Sequence, residues 1–131
     1  MKFSTRQASV FVLATAMGCS PSKAITSPIC TANLAPAVAV YVKDSLTNSN
    51  AAAGASLVVR EGSFKDSVGV ASEPPELNNM VITAAAERAG TYNVTVDKPG
   101  YVAWTQSNVR VTRNECHVNT ATLTALLQKS P

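Results

Sequence analysis

The chain has 131 residues, 46% of them apolar and 15% charged, which supports one domain with a buried core and is not the composition of a membrane protein. Its formal net charge of +3 includes Lys2 and Arg6, which the pattern assigns to a leader. Without them nine basic residues stand against eight acidic ones, a net of +1, and that excludes the basic footprint of a nucleic-acid binder.

Residues 1–18 have the pattern of a secretory signal. Lys2 and Arg6 form a positive start, and Ala8–Met17 is an apolar run broken only by Ser9 and Thr15. A helix needs about twenty such residues to span a bilayer, so the run is too short to be a transmembrane segment. Ala16-Met17-Gly18-Cys19 then resembles the bacterial lipobox, in which the cysteine is acylated and becomes the mature N-terminus. That pattern prefers Leu where Ala16 stands, and Ser22-Lys23-Ala24 offers a rival cleavage site of the small-x-small type.

Three cysteines in an exported chain leave one odd. If Cys19 carries lipid, Cys30 and Cys116 remain as a pair in an oxidising compartment. By chain entropy a bridge closing so long a loop contributes on the order of 4–5 kcal/mol. Two unrelated buried thiols are the alternative, and a metal site is the poorer one because His117 is the only histidine. Ser20–Pro28, rich in Ser and Pro, reads as a tether of roughly 15–18 Å root-mean-square length. The expected organisation is therefore a signal over 1–18, an anchor cysteine and tether over 19–29, and a folded domain over 30–127.

Within that domain the patterning has the period of strands. Val38, Val40 and Val42 alternate with Ala39, Tyr41 and Lys43. The loop Asp44–Gly54, dense in Asn, Ser and Asp, separates them from a second strand at Ala55–Arg60. Ser63–Asn79 has no clear period and contains Gly69 and Pro74-Pro75. A segment of this length is functional, mobile, or hides a short edge strand near Val68–Ala71. Met80–Ala86 is read as a strand despite its alanines.

The clearest signal follows the turn Ala89-Gly90, where Tyr92, Val94 and Val96 alternate with Thr91, Asn93, Thr95 and Asp97. Asp97-Lys98-Pro99-Gly100 breaks that strand, and Val109 and Val111 mark the next. A last strand is expected from Glu115 to about Leu126, with a bulge near Asn119–Ala121 to reconcile its two parities. About seven short strands and no confident helix predict an all-β, antiparallel sandwich.

Three stretches resemble the carboxypeptidase regulatory-like domain, a sandwich related to transthyretin. They are Val40-Tyr41-Val42-Lys43-Asp44 with Gly54-Ala55, then Ala89-Gly90-Thr91-Tyr92-Asn93-Val94-Thr95-Val96, and Pro99-Gly100-Tyr101 with Val109-Arg110-Val111. Together they span most of Ala37–Leu126, although Asn48-Ser49-Asn50 replaces the usual glycine after the first strand. The resemblance implies a non-catalytic appendage or an envelope protein, and so little chemistry of its own.

The residues themselves agree with that expectation. His117 adjoins Cys116 and by alternation faces the surface, so no Ser–His–Asp constellation is expected. The related hydroxyisourate hydrolases use several histidines and a C-terminal Tyr-Arg-Gly, which the ending Leu127-Gln128-Lys129-Ser130-Pro131 lacks. Asp44, Asp66 and Asp97 are isolated turn aspartates without a calcium-loop motif. Glu73 and Glu76 flank Pro74-Pro75 on a loop, the wrong support for a glycosidase pair. Tyr101 and Trp104 could form an exposed aromatic platform for sugar or peptide. Asn93-Val94-Thr95 fits the glycosylation sequon but lies inside a strand.

The expected function is a lipid-anchored, non-catalytic binding or structural module of a bacterial envelope, without metal or cofactor. Ser20 after the anchor cysteine would direct it to an outer membrane facing the periplasm, where the source has one. An exposed strand edge or the Ser63–Asn79 segment would meet its partner. A soluble secreted domain that binds carbohydrate or peptide through Tyr101 and Trp104 is the second expectation.

Overall fold

The computed structural model describes residues 27–131. The leader, Cys19 and the first part of the tether lie outside the described residues. Seven strands run in the order β1 (Pro36–Asp44), β2 (Ser56–Glu61), β3 (Phe64–Gly69), β4 (Val81–Ala86), β5 (Gly90–Asp97), β6 (Trp104–Val111) and β7 (Ala121–Leu127), with one 3-10 turn at Pro75–Asn79. They form a three-stranded sheet ordered β4-β1-β7 and a four-stranded sheet ordered β3-β2-β5-β6. The inward valines of β1, Leu57 and Val59 of β2, and Tyr92, Val94 and Val96 of β5 are buried between them with Ile82, Ala125 and Leu127. Each large side chain so buried contributes about 1.5–3 kcal/mol.

The expected antiparallel sandwich needs one correction. β1 pairs with β7 in parallel over Val38–Asp44, while the other four pairings are antiparallel. β7 can run parallel because the chain reaches it from the opposite sheet, through a long link after β6, and not through a hairpin.

The segment Ser63–Asn79 is no structureless loop. A two-residue turn at Gly62-Ser63, with Gly62 at φ +54, folds β3 back onto β2 over six paired positions. Glycine is favoured there because L-residues adopt positive φ only at a cost. β3 escaped the alternation test because Asp66 takes an inward position. Its Oδ2 accepts the Ala85 N–H at 2.8 Å and its Oδ1 the Ser67 N–H at 2.8 Å. Excising the segment would remove a paired edge strand, so its deletion is expected to cost stability and not to leave it nearly unchanged.

The last strand also differs. Cys116 and Val118 belong to the β6–β7 link, where Arg113 bridges to Val118, and β7 begins only at Ala121. The two parities belong to two separate pieces, so no bulge at Asn119–Ala121 is needed. The irregularity sits instead in β5–β6, where the register shifts between Tyr92 and Val94, with Asn108 opposite at φ 59.

One end of the sandwich gathers the start of β1, the end of β4, the start of β5, the end of β6 and the β2–β3 turn. The disulfide Cys30–Cys116 closes this end, with Cα atoms 5.2 Å apart. Beside it, Glu61 pairs with Arg88 at 2.8 Å and accepts the Thr91 N–H at 2.6 Å. Its carboxylate occupies the space into which a Cβ on Gly90 would project, which explains the glycine before Thr91-Tyr92 without reference to any motif.

Candidate functional site

Tyr101 and Trp104 have different surroundings, and Tyr101 does not line the groove that holds Trp104. Tyr101 is half-buried, and its hydroxyl donates to Asp44 Oδ2 at 3.0 Å. Asp44 is buried at the end of β1, and its Oδ1 accepts the N–H groups of Leu46 at 2.9 Å and Thr47 at 3.0 Å. The Lys98 ammonium lies 5.4 Å from the Tyr101 ring centroid and donates to the Ala51 carbonyl at 2.9 Å. Every polar atom of this trio is engaged, so Tyr101 fastens the β5–β6 turn to the end of β1.

The Thr47 N–H is the main cause holding the Asp44 carboxyl down to about 2, with Leu46 and Tyr101 adding to it. A depressed acid stabilises the fold above its unfolded pKa of about 4 and withdraws that support as pH falls through its folded value. The Glu87 carboxyl is lowered as well, first by the Ala35 N–H and then by His117. Urea midpoints should therefore drop between about pH 4 and pH 2. Asp44→Asn should flatten that part of the profile, and an equally steep decline in the variant would refute the assignment.

Trp104 is half-buried and lines an open groove of about 190 Å³ with Val102, Ala103, Thr105, Leu126 and Gln128. The groove follows the seam where the first residues of β6 meet the last of β7, held by the Val102 N–H on the Gln128 carbonyl at 2.8 Å. An indole wall with Val102 and Leu126 beside it offers an apolar stacking surface, and Thr105 and Gln128 supply hydrogen-bonding groups at its rim.

His117 is the residue whose surroundings sequence reasoning missed. It is only partly exposed: Nδ1 lies 2.6 Å from Glu87 Oε1 and Nε2 2.9 Å from Thr31 Oγ1. Hydroxyl, imidazole and carboxylate thus stand in the order of a nucleophilic relay. The remaining contacts are those of a clasp. Glu87 Oε1 also accepts the Ala35 N–H at 2.7 Å, and Asn114 Oδ1 accepts the N–H groups of Cys116 and His117. The group joins the segment before β1, the β4–β5 turn and the β6–β7 link, at the end of the sandwich opposite the Trp104 groove. The signal for it was present in the cysteines: a bridge from Cys30 to Cys116 places Thr31 next to His117.

The other singled-out residues stay apart. Asp66 is committed to main-chain N–H groups, Asp97 is exposed at the end of β5, and Glu73 and Glu76 are exposed beyond β3. Among the described residues no three His, Cys, Asp or Glu side chains come together as a metal site. No helix there is long and apolar enough to cross a membrane. Asn93 is exposed in mid-β5. Comparison with protein-family models and with curated proteins finds no match for the chain.

Proposed function

We propose that the protein is a non-catalytic, lipid-anchored β-sandwich of a bacterial envelope, a binding or structural accessory module of the carboxypeptidase regulatory-like kind. The observation that carries this reading is the Cys30–Cys116 disulfide. It uses two of the three cysteines and points to an oxidising compartment. The third, Cys19, stands in a lipobox-like context after an apolar leader. Two or three acyl chains, at about 0.8 kcal/mol per buried CH₂, make a stable anchor. The surface this module offers a ligand is the Trp104 groove, whose apolar wall and polar rim suit a sugar ring or a short peptide.

The deciding experiment is the intact mass of the mature protein taken from its native membrane. A mass beginning at Cys19 with added acyl chains, gaining two protons on reduction, is the expected result. A mass beginning near Ile25 without lipid would overturn the anchor. It would favour the second reading, a soluble secreted binding domain, for which the Trp104 groove is the supporting observation.

A further inference from the structure

The charges of the described domain are unevenly placed along its long axis. Arg60 of β2 and Lys65 of β3 are directly opposite one another, and Arg60 is opposite Asn93 of β5. Arg110 of β6 is opposite Thr91. The inward neighbours Val59, Val109 and Val111 are buried, whereas Arg60, Lys65, Thr91, Asn93 and Arg110 are all exposed. Three cations therefore share the outer face of the four-stranded sheet, near the end closed by the disulfide.

None of the three has an ion-pair partner among the described residues. The acids at this end are otherwise engaged: Glu61 with Arg88, Glu87 with His117, and Asp66 with the N–H groups of Ala85 and Ser67. Glu115 offsets Arg113 in the exposed β6–β7 link. Like charges directly opposite across a ladder are unfavourable unless something answers them. Asp97, Glu73 and Glu76 all lie toward the other end.

The chain enters the domain at this same end, through Cys30. Ile29 and Leu34 flank it, 99% and 75% exposed. Residues 20–29 separate Cys19 from Cys30, and ten residues reach at most about 35 Å even when fully extended.

We propose that this end of the sandwich lies against a membrane of anionic phospholipid, with Arg60, Lys65 and Arg110 meeting headgroup phosphates and Ile29 and Leu34 entering the interface. The proposal rests on the anchored reading, because the short connection to Cys19 argues for a membrane only when Cys19 is acylated. The attraction of the three cations to anionic lipid does not need the acyl chain. Charge complementarity selects the anionic lipid, and the short connection to Cys19 selects the membrane over a distant partner. The opposite end, with the Trp104 groove, is then turned away from the bilayer and open to a ligand.

The test uses the mature chain with Cys19→Ser, floated with vesicles of phosphatidylcholine alone or of phosphatidylcholine with phosphatidylglycerol. Flotation is expected with the anionic vesicles only, and raising the salt should abolish it. Arg60→Gln, Lys65→Gln and Arg110→Gln should each weaken binding about fivefold, the effect of one basic residue near an anionic surface. Lys129→Gln, at the far end, should leave binding unchanged. Equal flotation with neutral and anionic vesicles, no flotation with either, or a Lys129→Gln loss as large as the others would overturn the proposal. Because Cys19 is replaced, failure here is distinct from an intact mass that lacks lipid.

Discussion

Replacing Cys30 and Cys116 together by serine is expected to remove about 4–5 kcal/mol of stability by chain entropy. The bridge spans 86 residues of sequence, and a loop of that size loses much of its denatured-state freedom when closed. For a domain of this size each kcal/mol corresponds to roughly 4–8 °C in melting temperature. A fall of about 16–40 °C should follow, from a total stability of only about 5–15 kcal/mol. The double variant is the right comparison because a single serine leaves a reactive thiol behind. Urea unfolding of both forms measures the loss directly, and reductant added to the unmodified protein should reproduce it. A loss below about 1 kcal/mol would mean that the unfolded chain is already compact or that the bridge strains the fold. Losing the bridge should also loosen the contact between Thr31 and His117, which would then rest on their single 2.9 Å hydrogen bond.

What the sequence disclosed, and what it did not, follows from the range of each signal. β2 and β5 were legible because their inward positions are occupied by Val, Leu and Tyr, so alternation and burial coincide, and β1 was legible from its valines although its alanines are buried as well. β3 was hidden because its inward set is Phe64, Asp66 and Val68, and an aspartate satisfied by main-chain N–H groups looks like a loop residue. β7 was joined to Cys116 because alternation carries no marker for the place where one piece of chain ends and the next begins. Its parallel pairing with β1 could not be read at all, since period two fixes which face a residue occupies and not which strand lies alongside. Tyr101 and Trp104 looked like partners by proximity in sequence. Their different surroundings turn on Asp44, 57 residues from Tyr101, which engages the one hydroxyl, while Trp104 lines the groove at the seam. The His117 contacts were within reach, but only by following the disulfide one residue further along each arm.

Tyr92→Ala is the other substitution expected to be severe. Tyr92 is fully buried, and its hydroxyl donates to the Arg88 carbonyl at 2.7 Å. Its ring meets Phe64 with centroids 6.3 Å apart at 60°, and the Arg88 guanidinium covers the far ring at 4.2 Å. Removing the whole ring should cost about 3–5 kcal/mol through lost burial and a residual cavity. Tyr92→Phe keeps the packing and removes only the hydroxyl, so about 0.5–1.5 kcal/mol is expected, more if the Arg88 carbonyl stays dry. A double-mutant cycle with Phe64→Ala should return a coupling of about 0.5–1.5 kcal/mol for the ring pair. The larger loss has a local consequence as well. Tyr92 pins the β4–β5 turn, which carries both Glu87 toward His117 and Arg88 toward Glu61, so Tyr92→Ala should raise amide exchange at residues 85–91 before it does so in β1. Stability within about 1 kcal/mol of the unmodified protein, or uniform exchange across both sheets, would show that the turn is held by its own hydrogen bonds and not by the tyrosine.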